Sequence, residues 1–476
     1  MEFKKHRFLY LIFVFIFLIS APLVIFYASG WRYDFKRNKI TKTGSFAINT
    51  FPAEAKVYIN GKSQKQSIFK KIMFYKKIFK TRQLGGLTPS LLTNFVPDEY
   101  LVEIKKENYQ TWQKKLIIEK EKTTIIKNAD LFLEKPEIEL LTEKNIISQK
   151  MSPDQKKIAY LSEDKKNYSL EVIDLKNKKT NILYQSPSLE SLISWSPDGE
   201  NILIKEKSGD YLVIFLYNSK KTLSLKEFLP TNNPPPLFFE KKWRGVKWKN
   251  NSTILGLLGD DLYQINLIQK TSQFLYKIKN SDYLIKNNNL YYFSNLGGQT
   301  YLEEVNLSSK KIYPVTALPY SENYKFINIT SVLIGAINEK NNFLFLINPL
   351  IREENKNIIL KAEAKKWQFD SSDNLLIYNN DFEISIFNLK EKKKEIITRR
   401  SEEIGEAIFY YLSNSIIFDS KNSIYAIETD KRDRQNIFQL ISVKKINDFY
   451  ISDSPKILYL IGEIENKKGL YKITIQ

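Results

Sequence analysis

The chain has no cysteine and one histidine, His6, among 476 residues. These two scarcities remove much chemistry: no disulfide, no thiolate nucleophile, no Cys/His zinc site, and no Ser/His/Asp triad unless His6 is its base. A lack of cysteine suits either redox compartment, so it does not locate the protein. No phosphate-binding glycine loop, nucleophile elbow or paired motif for glycoside hydrolysis is written in the chain. Catalytic, cofactor-binding and metal-ligating residues are therefore expected to be none. With 43% hydrophobic and 13% aromatic residues, the chain can nevertheless bury large cores and divide into more than one domain.

Charge is plentiful but unevenly placed. The formal net charge is +20, yet residues 1–136 hold 25 Lys/Arg against 11 Asp/Glu, a surplus of 14 that leaves 6 for the other 340 residues. Basicity confined to the N-terminal quarter is a poor match to a nucleic-acid-binding domain, so no nucleic-acid partner is expected. Elsewhere lysine accompanies abundant Asn, Ile and Phe and scarce Gly, the signature of AT-rich coding.

Residues 8–28, FLYLIFVFIFLISAPLVIFYA, run 21 residues without a charge. A helix of that length spans roughly 30 Å, one bilayer core. A signal peptide's apolar stretch is usually about 7–15 residues, so residues 1–30 are read as a cytoplasmic tail and retained transmembrane anchor. Ala28-Ser29-Gly30 leaves a cleaved signal as the alternative. Trp31 and Tyr33 read as interfacial aromatics, and residues 31–43 as a juxtamembrane linker. Lys4, Lys5 and Arg7 lie before the helix, and Arg32, Lys36, Arg37, Lys39 and Lys42 after it, so the positive-inside rule does not decide orientation. A short tail ahead of a long C-terminal region favours the N-terminus inside and the bulk extracytoplasmic, as a single-pass protein of the cell membrane.

Residues 44–135 are β-rich. Alternation at Phe46/Ile48, Val57/Ile59, Tyr100/Val102/Ile104, Leu116/Ile118, Ile125 and Leu131/Leu133 predicts a compact sandwich, with Asn60-Gly61 closing a tight hairpin. The segments FPAEAKVYINGK, LTPSLL and VPDEYLVEIKKENYQTWQKKLII resemble the PEGA domain, a small β-sandwich of bacterial and archaeal envelope proteins. Pro52, Ala55, Val57, Ile59, Gly61, Thr88, Pro89, Pro97, Tyr100, Val102, Tyr109 and Trp112 fall on its pattern. Glu54, Asp98 and Asn108 replace glycines of that pattern, the last two with residues that tolerate turn geometry. The resemblance implies an envelope-facing, non-catalytic module.

One stretch lies outside the resemblance. Residues 62–83 hold eight Lys/Arg and no acid, and Ile68, Ile72, Tyr75 and Phe79 recur at helical spacing. The insertion, 62–84, reads as a basic amphipathic helix with Lys65, Lys70, Lys71, Lys76, Lys77, Lys80 and Arg82 as candidate contacts to anionic headgroups or another polyanion. A helix packed on the sandwich with a solvated lysine face is the alternative.

From residue 136 onward a motif repeats. The first strands ISQKMSPD, LISWSPDG, WRGVKWKN, DYLIKNNN, FINITSVL, KKWQFDSSDN, AIFYYLSN and NDFYISDS recur at a mean of about 43 residues, and each is followed by further apolar strands. Four short strands per 40–45 residues predict a β-propeller, with eight blades favoured and seven as the alternative. The eighth repeat lacks a fourth strand, while residues 137–142, EIELLT, form an extra strand ahead of the first. Pairing the two would close the ring and remove a free edge. The two Ser-Pro-Asp turns resemble those of TolB-type, WD40-like propellers of bacterial envelopes. Gly199 supplies positive φ in the second copy. In the first, Gln155 stands in its place, so that turn is expected to be looser or differently shaped.

Asp198, Asp260, Asp261 and the Asp of SSDN read as solvated turn residues rather than a calcium site. The Pro-rich run 233–239 reads as an inter-blade loop. The fold class expected is mainly β: a transmembrane helix, a PEGA-like sandwich and a propeller over 136–476. The function expected is a membrane-anchored, non-catalytic envelope binding or scaffolding protein whose propeller rim meets a protein or an envelope polymer. The alternatives are a lyase- or glycosidase-type propeller enzyme with carboxylates in the central channel, and a cytoplasm-facing assembly platform.

Overall fold

The computed structural model describes residues 2–64, 87–165, 167–218, 222–229, 242–279, 282–327, 332–353, 356–370, 372, 374–410, 414–452 and 456–476, without the side chains of 2–9 and 191–193. The basic insertion, with Lys65, Lys70, Lys71, Lys76, Lys77, Lys80 and Arg82, and the Pro-rich run 233–239 lie outside the described residues.

Helix α1 spans Glu2–Ala28. Its apolar stretch, Tyr10–Ala28, is long enough to cross a membrane, and none of it is buried against the rest of the protein. A hairpin of β1 (Trp31–Asp34) and β2 (Lys39–Lys42) follows at once.

Next come β3 (Gly44–Phe51), β4 (Lys56–Ile59), β5 (Lys62–Ser63), β6 (Ser90–Phe95), β7 (Glu99–Lys105), β8 (Trp112–Ile117) and β9 (Thr123–Asp130). They make two sheets, ordered β6-β3-β9 and β5-β4-β7-β8. Phe46 and Ile48 from one sheet and Val57, Ile59, Val102, Ile104, Trp112 and Leu116 from the other share one core. Alternation in β3 and β8 puts every second residue inside, as a two-layer sandwich requires. The expected phase of β9 is corrected: Ile126, paired with buried Ile48, is buried and Ile125 is exposed, because an extra residue of β9 between Ile126 and Ala129 breaks the alternation shared with Leu131. Asn60 and Gly61 both take positive φ, the two-residue hairpin that their identity calls for. Glu54, the least turn-tolerant departure from the PEGA pattern, also sits at φ 66°.

Eight four-stranded antiparallel sheets follow among the described residues, covering 145–186, 189–224, 243–277, 283–319, 324–363, 366–399, 404–442 and 445–474 as blades 1 to 8. Strand β10 (Glu137–Glu143) pairs with the last strand of blade 8, Glu137 opposite Thr474, and supplies that blade's fourth strand. Apolar clusters lie between successive blades, and one joins Ile146, Ile158 and Tyr160 of blade 1 to Tyr459, Ile461 and Leu470 of blade 8. The ring is therefore closed at eight blades by packing as well as by hydrogen bonding. First strands approach one another around the ring and so surround its axis. They are also stitched together: Trp195 Nε1 donates to the Lys150 carbonyl at 2.9 Å, and the Phe326 amide donates to Asp282 Oδ2 at 2.6 Å.

Three local readings change. The LSLKEF segment of blade 2 is a strand only over Thr222–Ser224, after which a 3₁₀ turn, Leu225–Phe228, is capped by Ser224. The first strand of blade 5 starts at Tyr324, two residues before the expected one. The two Ser-Pro-Asp turns are alike. Gln155 N and Gly199 N donate to the Ser152 and Ser196 carbonyls, each at 2.9 Å, and both serine hydroxyls bond the aspartate two residues on. Gln155 achieves this by adopting φ 55° against 71° for Gly199, so strain, not a looser turn, replaces the glycine.

Candidate functional site

Two polar clusters stand out, one where the sandwich meets the propeller and one on the innermost strands. The first begins in β8, whose inward positions read Trp112, Lys114, Leu116. A lysine on an apolar face would be costly unless paired. Here that face meets blade 7, and Lys114 is 1% exposed. Its ammonium lies 2.6 Å from Glu428 Oε1 and donates to the Asp430 carbonyl at 2.6 Å. Trp112 Nε1 donates to Glu428 Oε2 at 2.8 Å, and the Asn436 amide donates to Oε1 at 2.7 Å. Burial pushes the Glu428 carboxyl up, against the pull of Lys114 and of the Asn436 amide.

Backbone contacts flank this pair. The Lys115 amide donates to Asp433 Oδ2 at 2.7 Å, and Arg432 donates to the Ile125 carbonyl at 2.8 Å. At the other end of the junction Ser415 donates to Asp130 Oδ2 at 2.6 Å. Burial raises the Asp130 carboxyl to about 7, opposed by that hydroxyl. Phe132, fully buried, packs its ring on Tyr410 and Phe438 of blade 7, with centroids 5.3 and 5.6 Å away. The Leu133 amide donates to the Ile475 carbonyl, tying the sandwich to the end of blade 8. The core between blades 7 and 8 is thus continuous with the sandwich core. A cavity of about 230 Å³ remains at the seam, lined among others by Trp112, Asp130, Asn414, Glu428, Asp430 and Arg432.

The second cluster lies on first strands of the ring. Glu406 in Ile404–Phe409 of blade 7 and Asp448 in Lys445–Ile451 of blade 8 sit beside corresponding register shifts, between Ile404 and Ala407 and between Ile446 and Asp448. Burial, with the Asp448 charge beside it, raises the Glu406 carboxyl to about 7. The Glu406 amide donates to Asp419 Oδ1 at 2.6 Å, and Tyr450 donates to Asp448 Oδ2 at 3.0 Å. Burial also raises Asp419. Lys366 on the first strand of blade 6 pulls both Glu406 and Asp419 down, and Gln149 of blade 1 bonds Tyr450. Four blades contribute to this arc, and its chemistry is that of a buried carboxyl, Glu406, raised toward neutrality beside Asp448. Among the described residues no group of three or more His, Cys, Asp or Glu is arranged to hold a metal ion.

Among the described residues the acidic turn residues do not gather: Asp260 pairs with Arg244 at 3.4 Å and Asp198 holds its own turn, while the Asp of SSDN, Asp373, lies outside the described residues. Of the two clusters, the junction carried a signal in the sequence, a lysine in phase with Trp112, Leu116 and Ile118. The inner-strand arc carried none, since Lys366, Glu406, Asp448 and Gln149 come from four different blades and meet only when the ring forms.

This architecture defines a β-propeller protein with an N-terminal apolar helix. No protein-family model and no curated protein matches the chain. Among solved structures it is similar to the C-terminal WD40 domain of Sif2, at 13% identity and TM-score 0.48, over 71% of this chain and 98% of that one. The Dos1 propeller gives 11% identity and TM-score 0.49, over 71% and 95%. An oligogalacturonate lyase in complex with manganese gives 10% and 0.44, over 71% and 93%.

Proposed function

We propose that this is a membrane-anchored envelope protein that binds or scaffolds other components without catalysing a reaction. In this reading α1 crosses the cell membrane with its N-terminus inside, the PEGA-like sandwich stands on it, and a TolB-type propeller is presented outside. The observation that carries the reading is the junction. A fully buried Lys114–Glu428 pair, an aromatic seam at Phe132 and backbone bonds at Lys115 and Leu133 make the sandwich a fixed mount for the ring. A fixed mount suits a protein whose task is to hold a binding surface at a set attitude to the membrane, and the free rims of the ring are where a protein or envelope polymer would dock.

Protease shaving of intact cells, followed by purification of the full chain from solubilised envelope, tests this. Digestion of the propeller on intact cells and one stoichiometric partner that survives washing are the expected results. A propeller protected until lysis overturns the orientation, and a chain that purifies alone under mild conditions overturns the scaffold. The enzyme reading draws on the raised carboxyl of Glu406, buried beside Asp448 on the first strands of the ring. If the purified chain releases fragments from envelope polysaccharides and Glu406→Gln abolishes that release, catalysis replaces binding.

A further inference from the structure

The hairpin that follows α1 is an isolated two-stranded sheet. Such hairpins are marginal in water unless one face is covered. One face of this hairpin is accounted for. Asp34, 4% exposed, accepts the amides of Lys36 and Arg37, and Arg37 and Lys36 reach Asp98 of the sandwich at 3.6 and 3.0 Å. The other face is not. Tyr33 and Ile40 are cross-strand partners, 44% and 54% exposed, and Phe35 at the tip is 88% exposed with its ring edge-on to Tyr33 at 5.0 Å.

This apolar strip continues directly from the helix. Trp31, in phase with Tyr33 and Phe35, stacks on Phe26 at 5.6 Å. The Arg32 guanidinium lies 3.4 Å from the centre of the Tyr27 ring and donates to the Tyr27 carbonyl at 2.7 Å. The hairpin therefore cannot swing freely from the helix end. Lys39, opposite Asp34, and Lys36, bound to Asp98, belong to the covered face.

We propose that Tyr33, Phe35 and Ile40 are seated in the headgroup layer of the bilayer that α1 crosses, so that the protein rests on the lipid surface as well as hanging from its anchor. This rests on the anchor reading above. The occupant is lipid because the strip is continuous with the apolar helix through the Trp31–Phe26 stack and lies on the face opposite Asp34 and its Asp98 contacts.

The natural absence of cysteine makes the test direct. Full-length F35C, I40C, K36C, I16C and S309C variants are spin-labelled singly and reconstituted in vesicles of zwitterionic lipid with added phosphatidylglycerol. Collision rates with oxygen and with a water-soluble nickel chelate then report depth. F35C and I40C should favour oxygen, with I16C favouring it most and K36C and S309C favouring nickel. F35C and I40C reporting water like S309C, while I16C reports lipid, overturns the inference alone. I16C reporting water overturns the anchor and the inference with it. A lipid signal from F35C, I40C and K36C alike would also overturn it, since that marks a label partitioning without a facing direction.

Discussion

The junction and the inner-strand arc face the same difficulty, a carboxylate taken out of water, and resolve it differently. Glu428 is answered by a lysine contributed from another part of the fold, so its neutralisation is also a cross-link between sandwich and ring. Glu406 is answered by a proton, since burial beside Asp448 raises its carboxyl, so its neutralisation depends on pH and makes no tie to the sandwich. A counter-ion makes a clamp, whereas a bound proton makes a titrating group. Asp130, at the edge of the junction, belongs chemically with the second kind.

The largest effect should come from breaking the clamp on one side. Lys114→Ala leaves Glu428 buried without its cation and should cost about 3–5 kcal/mol in denaturant unfolding of the full chain. Lys114→Met combined with Glu428→Leu should cost clearly less than the two single changes added together, because neither charge is then stranded.

The titrating side makes a pH prediction with a definite sign. Glu406 moves from 4.5 unfolded to about 7 folded. The folded state therefore holds more protons between those values, and its stability falls as pH rises through that window, by on the order of 3 kcal/mol. Asp130, raised from 3.8 to about 7, adds a loss of the same sign. Thermal melts across this range should flatten in part with Glu406→Gln and in part with Asp130→Asn, and Glu406→Gln should melt above the parent at mildly alkaline pH. Melting that rises with pH over the window would contradict the raised Glu406 carboxyl.

Gly405→Ala probes the support of the arc. A Cβ there would stand 2.3 Å from Asp419 Oδ2, displacing the carboxylate that receives the Glu406 amide. A loss of about 1–3 kcal/mol is expected by denaturant titration, larger than at a solvated turn. The smallest effect belongs to such a turn: Gln155→Gly relieves a positive φ at some cost in unfolded-state entropy, for a net gain below about 1 kcal/mol.

Repetition explains how much was legible. The ring could be read because each blade writes its alternation again, so errors in one, such as LSLKEF, leave the count intact. The closing strand was legible because one repeat lacked a strand that stood upstream. Ile125 misled because β9 carries an extra residue between Ile126 and Ala129, which breaks the alternation counted back from Leu131. Lys114 was legible in principle, in phase with Trp112 and Leu116, but only the partner surface says why a cation may stand there. Glu406 and Asp448 meet through ring geometry, which no local pattern carries.

The central claim is that sandwich and propeller move as one body through the Lys114–Glu428 junction. Spin labels at Glu107→Cys and Lys390→Cys, both exposed and introduced into a chain without other thiols, measure it by dipolar distance. One narrow distance distribution in the otherwise natural chain, broadened by Lys114→Ala, is the predicted result; a broad distribution already present before that substitution would contradict it.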